Sequence, residues 1–292
     1  MTDINLLVLQ IITGLALGSV FVLLSIGLSL IFGMLTVVNF AHGAFFMVGA
    51  YVGVYTLNLT GSFWLSLVVV PLVVGALGLL TERFLVRPLY GRGIDYPLLL
   101  TFGLSYVMAD MIRMIFGVDG LPIGTPPGLR GAVDIGVGNF PIYRLFLIVA
   151  TAIIVAALWL FIEKTRFGLI IRAGARDAEI VHVLGIDVSK VWLMVFGLGT
   201  AIAALSGILA APIRAVTPEM GIPVLVESFV VTVVGGMGSL AGAIVAGLLV
   251  GVVYSLSSLY IPDFADTSIF VLMALVLLVR PQGLFGRAGL MS

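Results

Sequence analysis

The sequence predicts an all-α protein, a polytopic bundle of transmembrane helices in which residues 1–292 form a single membrane domain. Hydrophobic residues make up 61% of the chain and charged residues 10%, whereas soluble domains carry roughly a quarter charged residues. Residues 4–81 contain no Asp, Glu, Lys or Arg. As helix they would extend about 117 Å, enough for three crossings of a hydrocarbon core about 30 Å thick. The apolar runs are continuous rather than alternating, which disfavours a β-barrel.

Polar breaks divide the chain into nine predicted spans, and eight or ten remain possible because two broken regions could re-enter the membrane instead of crossing it. The spans are approximately 6–31, 44–59, 63–81, 97–117, 142–162, 191–211, 224–234, 243–259 and 267–279. The mean hydropathy is +1.28. Cysteine is absent and the formal net charge is zero, so the composition excludes disulfides and gives no indication of nucleic-acid binding.

The distribution of basic residues predicts the orientation. Segments 82–96, 163–190 and 280–292 hold ten of the fourteen Lys and Arg residues. Cytoplasmic loops are enriched in these residues, so the three segments are predicted to lie in the cytoplasm. The N-terminus and the Gly/Pro-rich loop 118–141 are then predicted outside, and the C-terminus inside.

The longest polar stretch, 163–190, is predicted to contain a short helix. Asp177 can cap its start, because a carboxylate accepts the free N–H groups of a first turn. Gly185 stands where a left-handed residue would end it. Ala178, Val181 and Leu184 are spaced to share one apolar face. The stretch is either an ordinary solvated loop helix or a knob that inserts into another protein.

Two segments interrupt apolar runs with polar or glycine residues, one at 31–51 and one at 226–251. Irregular backbone at membrane depth persists only where protein or a water-filled cavity satisfies it, and paired Gly-interrupted segments of transporters point to the substrate pathway. Glycine also permits plain close packing of membrane helices. The residues predicted to line a pathway are Asn39, His42, Glu227, Gly235, Gly236, Gly238 and Ser239.

Three of these residues also have structural interpretations. Asn39 could bond the backbone at the break, His42 could be satisfied by a neighbouring helix carbonyl, and Glu227 could be an interfacial carboxylate at the start of a span. Asp110 and Arg113 are predicted to form a structural pair on one helix face. We predict no catalytic residues and no metal ligands.

Four stretches resemble branched-chain amino acid ABC permeases of the high-affinity import system. Gly33–Met34, Asn39–Gly43 and Gly49–Tyr51 match the N-terminal signature, although four residues separate Met34 from Asn39, more than is frequent in the family. KTRFGLIIRAGARDAEIVHVLGID (164–187) resembles the cytoplasmic coupling segment. VVGGMGSLAGAIVAGLLVG (233–251) resembles the C-terminal glycine signature, and RPQGLFG (280–286) resembles the family ending.

The resemblance implies one subunit of an importer in a bacterial-type inner membrane, translocating leucine, isoleucine, valine or similar amino acids. The implied partners are a second homologous permease, two cytoplasmic ATP-binding subunits and a periplasmic substrate-binding protein. No cofactor is implied. The chain lacks the phosphate-binding motif G-x-x-x-x-G-K-[ST], so it is not expected to be an enzyme, and ATP hydrolysis is expected on partner subunits. The implied coupling residues are Arg172, Arg176, Asp177, Ala178, Glu179, Leu184 and Gly185.

Three alternatives remain open from sequence. A permease of the same fold could carry urea, short amides or a simple sugar. A secondary transporter would need more ionisable residues within its spans than this chain offers. A membrane enzyme would need a cluster of catalytic side chains, and the two histidines, His42 and His182, are far apart in sequence.

Overall fold

The structure is a computed structural model that describes residues 3–35 and 37–286. Within these residues the chain forms eleven α-helices and one antiparallel β-hairpin, in which Val133 pairs with Phe140. The elements are α1 (Asp3–Leu35), α2 (His42–Thr60), α3 (Phe63–Thr81), α4 (Asp95–Phe116), β1 (Ala132–Asp134), β2 (Asn139–Pro141), α5 (Ile142–Lys164), α6 (Arg166–Gly174), α7 (Ala178–Val183), α8 (Val188–Ala210), α9 (Gly221–Gly235), α10 (Leu240–Tyr260) and α11 (Ala265–Val279).

Each of the nine predicted spans corresponds to one helix. In the described ranges, eight helical segments are long and apolar enough to cross a membrane. The ninth, α9, is apolar but has only 15 residues, and it would extend about 22 Å, less than the hydrocarbon thickness of about 30 Å. The predicted fold class, an all-α polytopic bundle, is confirmed.

The chain divides into two compact units. The first unit contains the described residues up to 26, with 124–153 and 227–286, and the second contains 27–123 and 154–226. The boundaries at 26, 153 and 226 fall inside α1, α5 and α9. Each unit is therefore assembled from stretches that are distant in sequence.

In the first unit, α1 and α10 cross at four glycines. Gly14 and Gly18 face Gly247 and Gly251. A Cβ atom built on Gly251 would lie 2.4 Å from both the Gly14 carbonyl oxygen and the Gly18 Cα. Small residues spaced four apart let membrane helices approach this closely. The adjoining core consists of Phe21, Val230, Val231, Val234, Ala246, Val250 and Ile269.

In the second unit, α8 packs against α2 and α3 through small residues. A Cβ atom on Gly207 would lie 2.1 Å from the carbonyl oxygen of Phe46, and one on Gly49 would lie 2.4 Å from the Cα of Ala204. Backbone therefore touches backbone along α8, and larger side chains at these positions would separate the helices.

A buried acidic residue joins the end of α3 to the start of α8. The chain continues from α3 as a π-helical turn, Glu82–Val86, and a 3₁₀ turn, Arg87–Leu89. The Glu82 side chain is fully buried and receives two hydrogen bonds from Arg87, at 3.2 and 2.9 Å, and one from the Tyr90 hydroxyl at 3.1 Å. Arg87 also donates to the Ser189 carbonyl oxygen at 3.0 Å. The buried carboxylate is thus both paired and hydrogen-bonded, as burial of a charge requires.

Candidate functional site

The predicted coupling loop contains two helices, α6 and α7, where the sequence predicted one. The predicted cap of α7 is confirmed, since Asp177 Oδ1 accepts the backbone N–H of Ile180 at 3.0 Å. The predicted left-handed stop is also confirmed, with φ of 81° at Gly185. Ile186 donates its N–H to the Val181 carbonyl oxygen at 3.3 Å, and Gly185 donates to His182 at 2.9 Å. This pair of bonds is a Schellman motif, which satisfies carbonyl groups at a helix end.

The predicted apolar face of α7 is wrong. Val181 is 3% exposed and points into the protein, whereas Leu184 is 72% exposed. Leu184 lies after the last residue of α7 and directly before the left-handed Gly185, where the chain leaves the helix, and its side chain does not follow that of Val181 into the protein. Ile180 and Val183 are also exposed, at 59% and 80%. Ile180, Val183 and Leu184 together form the α7 apolar surface. These three residues and Asp177 line a shallow, open depression.

The other predicted coupling residues lie around this surface. Arg172, on α6, forms an ion pair with Glu163 in the last turn of α5, so part of its charge is neutralised within the chain. Arg176 is exposed and Ala178 is half-buried. Glu179 belongs to α7, and its side chain lies outside what the structure describes.

The first break leads from α1 into α2 and is fixed to α4. Asn39 Oδ1 accepts the backbone N–H of Ala41 at 3.1 Å, which confirms the prediction that Asn39 bonds the local backbone. Phe40 donates its N–H to Thr101 Oγ1 of α4 at 3.1 Å. His42 is fully buried, and a Cβ atom on Gly27 of α1 would lie 3.1 Å from its ring. Asn39, Ala41 and His42 of this break are therefore buried in the second unit.

The second break is a tight turn between α9 and α10, and the family-like ending packs against it. Ser239 caps α10 by accepting the Gly242 N–H at 3.1 Å. Leu284 and Phe285 donate their N–H groups to the carbonyl oxygens of Val234 and Gly235, at 2.8 and 2.9 Å. The turn itself contains Gly236 and Gly238, both with positive φ.

Glycine is required at Gly236 for two reasons. Its φ of 99° is one that side chains rarely adopt, and a Cβ atom there would lie 2.3 Å from the backbone nitrogen of Gly286. Two sequence signatures that were identified separately, residues 233–251 and 280–286, therefore form one contact in the first unit.

Glu227 lies in the middle of α9 and not at the start of a span as predicted. It is the seventh of the fifteen residues of this helix and is half-buried. The difference arises because α9 begins at Gly221, three residues before the predicted span. A carboxylate at this depth of an apolar helix is costly and commonly functional.

The second unit also contains a partly open pocket of about 70 Å³ between α2, α4 and the start of α9. Arg113 of α4 and Glu219, which precedes α9, lie at its wall. The predicted pair of Arg113 with Asp110 is confirmed. Arg113 also pairs with Glu219, at 3.1 Å between Nη2 and Oε1. No sequence signal points to Glu219, because it lies 106 residues from Arg113 in a short connection.

Comparisons with known proteins agree with this architecture. The family model described as "Branched-chain amino acid transport system / permease component" matches residues 10–280. The high-affinity branched-chain amino acid transport system permease protein BraD of Pseudomonas aeruginosa is 30% identical over 95% of each chain. The protein LivH of Salmonella typhimurium, which carries the same description, is 31% identical over 95% of each chain.

More distant relatives also match over most of their length. The probable branched-chain amino acid transport permease protein LivH of Methanocaldococcus jannaschii is 28% identical over 92% of this chain and 89% of the relative. The high-affinity branched-chain amino acid transport system permease protein LivM of Escherichia coli is 26% identical over 92% of this chain and 68% of the relative. No solved structure matches the chain.

The matched residues extend from the first turns of α1 to the end of α11 and include both breaks and the loop that carries α7. The chain is therefore a multi-pass membrane protein that belongs to the family of permease components of branched-chain amino acid transport systems.

Proposed function

We propose that the chain is a membrane-spanning subunit of an ATP-driven importer that carries leucine, isoleucine, valine or similar amino acids across the inner membrane. The observation that carries this proposal is the similarity to BraD and LivH over 95% of each chain. Similarity of that extent includes the two breaks and the polar loop, and it does not reflect apolar composition alone. Permeases of the same fold for urea, short amides or a simple sugar are less well supported, because the relatives reported above are named for branched-chain amino acids.

The proposed membrane partner is a second, homologous permease. The chain is similar both to proteins named LivH and to proteins named LivM. Similarity to both proteins is expected if two homologous subunits with the same fold form one transporter.

The proposed source of energy is a pair of separate cytoplasmic subunits that hydrolyse ATP. The sequence has no phosphate-binding loop of the G-x-x-x-x-G-K-[ST] type, so ATP has no such site in this chain. The α7 apolar surface supports docking of another protein, because three large apolar side chains are exposed on one capped helical turn. Arg176 and the helix stop at Gly185 lie next to this surface and would determine how α7 docks on the partner subunit.

The two breaks have different roles in the proposed substrate pathway. In the second unit, Asn39 and His42 are both buried, and the Asn39 side chain bonds the backbone next to Phe40, so we assign these two residues to positioning. In the first unit, Glu227 is the best-supported contact for a passing ammonium group, because it is ionisable and lies mid-helix. Gly235 ends α9, and Gly236, Gly238 and Ser239 belong to the turn after it; we propose that these residues fix the position of that helix.

The proposed orientation places the loop with α6 and α7 in the cytoplasm and the loop with β1 and β2 outside. The asymmetric distribution of Lys and Arg supports it. A periplasmic substrate-binding protein would then deliver amino acids to the outer side, while the ATP-binding subunits act on the inner side.

The test is reconstitution. The chain, its homologous permease, the two ATP-binding subunits and the binding protein are placed in proteoliposomes, and uptake of radiolabelled leucine is followed with ATP supplied on the cytoplasmic side. We expect concentrative uptake that stops without ATP and is absent when this chain is reconstituted alone. Urea and a simple sugar, each tested in the same vesicles, serve as substrate controls.

Two outcomes would contradict the proposal. Concentrative uptake driven by an ion gradient without any ATP-binding subunit would make the chain a secondary transporter. Uptake of urea or sugar in place of leucine by the complete assembly would retain the ATP-driven class and replace the substrate.

A further inference from the structure

We infer that the pocket bordered by Arg113 and Glu219 is a low-affinity site for the amino acid itself, in which Arg113 binds the carboxylate, Glu219 binds the ammonium group and the apolar wall holds the side chain. This inference rests on the proposed function, because it deepens the assignment of branched-chain amino acids as substrates. It names the groups of this chain that meet the substrate.

The pocket has the size and lining of a site for an aliphatic side chain. Its volume of about 70 Å³ is several times the roughly 10–15 Å³ that one water molecule needs. The wall is built mainly from apolar side chains. These include Phe40, Ala44, Met47, Ala109, Ile222 and Leu225. Small-molecule sites are typically apolar with a few polar groups that fix orientation.

The charged groups at the wall match both ends of a zwitterion. Arg113 presents a planar guanidinium suited to a carboxylate, and Glu219 presents a carboxylate suited to an ammonium. In the structure they bond to each other at 3.1 Å. Their side chains are 36% and 60% exposed, and exposed pairs of this kind contribute little. An amino acid can therefore exchange one weak ion pair for two ion pairs at small cost, which gives the weak binding that a transport pathway needs.

The local charge predicts which amino acids are rejected. Asp110 holds the other side of Arg113 but does not line the pocket. The cluster of one guanidinium and two carboxylates has an excess negative charge, so a second carboxylate on the substrate would be repelled. On α2, the Tyr51 hydroxyl is buried with no hydrogen bond among the described residues. Tyr51 lies four residues after Met47, so the two side chains share one face of α2.

Local rigidity supports the site as well. The break residue Phe40 is tied to α4 by its hydrogen bond to Thr101. A Cβ atom on Gly43 of α2 would lie 2.0 Å from the Gly221 carbonyl oxygen at the start of α9. The segment before α2 is therefore hydrogen-bonded to α4, and α2 contacts the start of α9 directly through backbone, so these contacts fix the shape of the pocket.

The test uses thiol labelling, because the native chain has no cysteine. Ala109→Cys places a thiol at the pocket wall, and Met114→Cys places one on the same end of α4 at a position that is 82% exposed and outside the pocket. Ser105→Cys is a second reporter of nearly native size. Each variant is purified as the assembled transporter in detergent and labelled with a maleimide, with leucine as the probe.

We expect leucine at twice its dissociation constant to slow labelling at position 109 about threefold, by the factor 1 + [L]/Kd, and to leave position 114 unchanged. Adding Glu219→Gln should abolish protection, whereas Asp110→Asn, which removes the other carboxylate from Arg113, should retain it. Glutamate and 4-methylpentanoate, which lacks the ammonium group, should not protect.

Several outcomes would overturn the inference. These are absence of protection by leucine at both reporters, equal protection at position 114, protection that survives Glu219→Gln, or equal protection by 4-methylpentanoate. If the assembled transporter takes up leucine but position 109 is not protected, the site is wrong and the proposed function stands. If the complete assembly with wild-type chain does not take up leucine, the proposed function itself fails.

Discussion

Leu284 donates its backbone N–H to the carbonyl oxygen of Val234, at 2.8 Å, and thereby fixes the segment after α11 onto the turn that follows α9. Gly236 lies at the centre of this contact, with Gly286 against it. The contact makes the glycine turn and the chain's last described residues a single structural feature.

The first prediction concerns Gly236→Ala, with Gly61→Ala as its control. Both positions have positive φ, which costs a side chain about 1–2 kcal/mol. A Cβ atom meets nothing within 4 Å at Gly61 but would collide with backbone at Gly236. We expect Gly236→Ala to lower the free energy of unfolding by about 2–5 kcal/mol and Gly61→Ala by about 1–2 kcal/mol, measured by thermal unfolding of the assembled transporter.

A truncation after Gln282 tests the cause of this difference. Without residues 283–286, the cost of Gly236→Ala should fall to that of Gly61→Ala, because the colliding backbone is gone. An unchanged cost would show that the tail is not what requires glycine. Gly236→Leu is also expected to impair transport more than Gly75→Leu, but packing alone would produce that difference, so it does not identify a pathway residue.

The second prediction concerns the buried carboxylate of Glu82. Glu82→Gln leaves Arg87 without its charged partner in a largely buried site, and removing one partner of a buried pair costs about 3–5 kcal/mol. The control is Glu163→Gln, which breaks a half-exposed pair with Arg172 and should cost about 0–1 kcal/mol. Chemical denaturation of the two variants measures the difference, and equal losses would contradict the importance of burial here.

The third prediction concerns alkaline pH. Burial raises the pKa of the Tyr90 hydroxyl above its ordinary value of 10.0, and the charge and hydrogen bond of Glu82 add to this rise, whereas Arg87 opposes it. A raised pKa in the folded state means that the contribution of Tyr90 is fully present below the unfolded pKa near 10. It is lost as the pH rises through the folded pKa.

We therefore expect the native chain to lose stability above pH about 10 more steeply than Tyr90→Phe does. At neutral pH, Tyr90→Phe should cost about 1–3 kcal/mol, because a hydrogen bond to a charged group is lost. Tyr260→Phe, at a position that is 65% exposed, is the control. Parallel pH profiles of melting temperature for the native chain and Tyr90→Phe would contradict the assignment.

The fourth prediction concerns the α7 apolar surface. Leu184→Ser should reduce the amount of ATP-binding subunit that is retained on the purified permease, because it removes apolar area from the proposed contact. Leu169→Ser, on α6 and 60% exposed, is matched in chemistry and should retain the native amount.

Gly185→Val, which opposes the left-handed stop, and Ala178→Trp should also weaken retention or uncouple ATP hydrolysis from substrate delivery. If all three variants retain the native amount of ATP-binding subunit, and the loaded binding protein stimulates their ATP hydrolysis as in the native chain, then α7 only connects α6 to α8.

The fifth prediction concerns orientation. Single cysteines at positions 83 and 176 should react with a membrane-impermeant thiol reagent only after the cytoplasmic face is opened. A cysteine at position 130, close to the β-hairpin, should react from the outside of intact cells. The reverse pattern would invert the proposed topology. Position 287, also predicted to be cytoplasmic, lies outside the described residues.

Local features of this chain could be read from its sequence because they depend on a few neighbouring residues. Asp177 caps α7 and Gly185 ends it as predicted, since capping and a left-handed stop act within one turn. The helices were likewise evident from long apolar runs separated by polar breaks. In contrast, the inward direction of Val181 depends on what α6 and α7 pack against, which spacing along one helix does not specify.

Contacts between distant residues could not be predicted in this way. The ion pair of Arg113 with Glu219, and with it the pocket, depends on how α4 and the start of α9 meet in the second unit. The sequence shows that the glycine-rich turn interrupts an apolar run. It does not show that residues 283–286 pack against this turn. Small residues in a sequence indicate that another segment packs closely there, but they do not show which segment it is.

The glycine crossing of α1 and α10 has a consequence for the order in which the molecule is made. Gly14 and Gly18 emerge from the ribosome early, whereas Gly247 and Gly251 follow roughly 230 residues later, which at about 5–20 residues per second is a delay of roughly 12–45 s. During this interval the N-terminal part of α1 lies in the membrane without the helix it will pack against. A chain whose synthesis stops before Gly247 therefore has a first helix whose glycine groove remains uncovered.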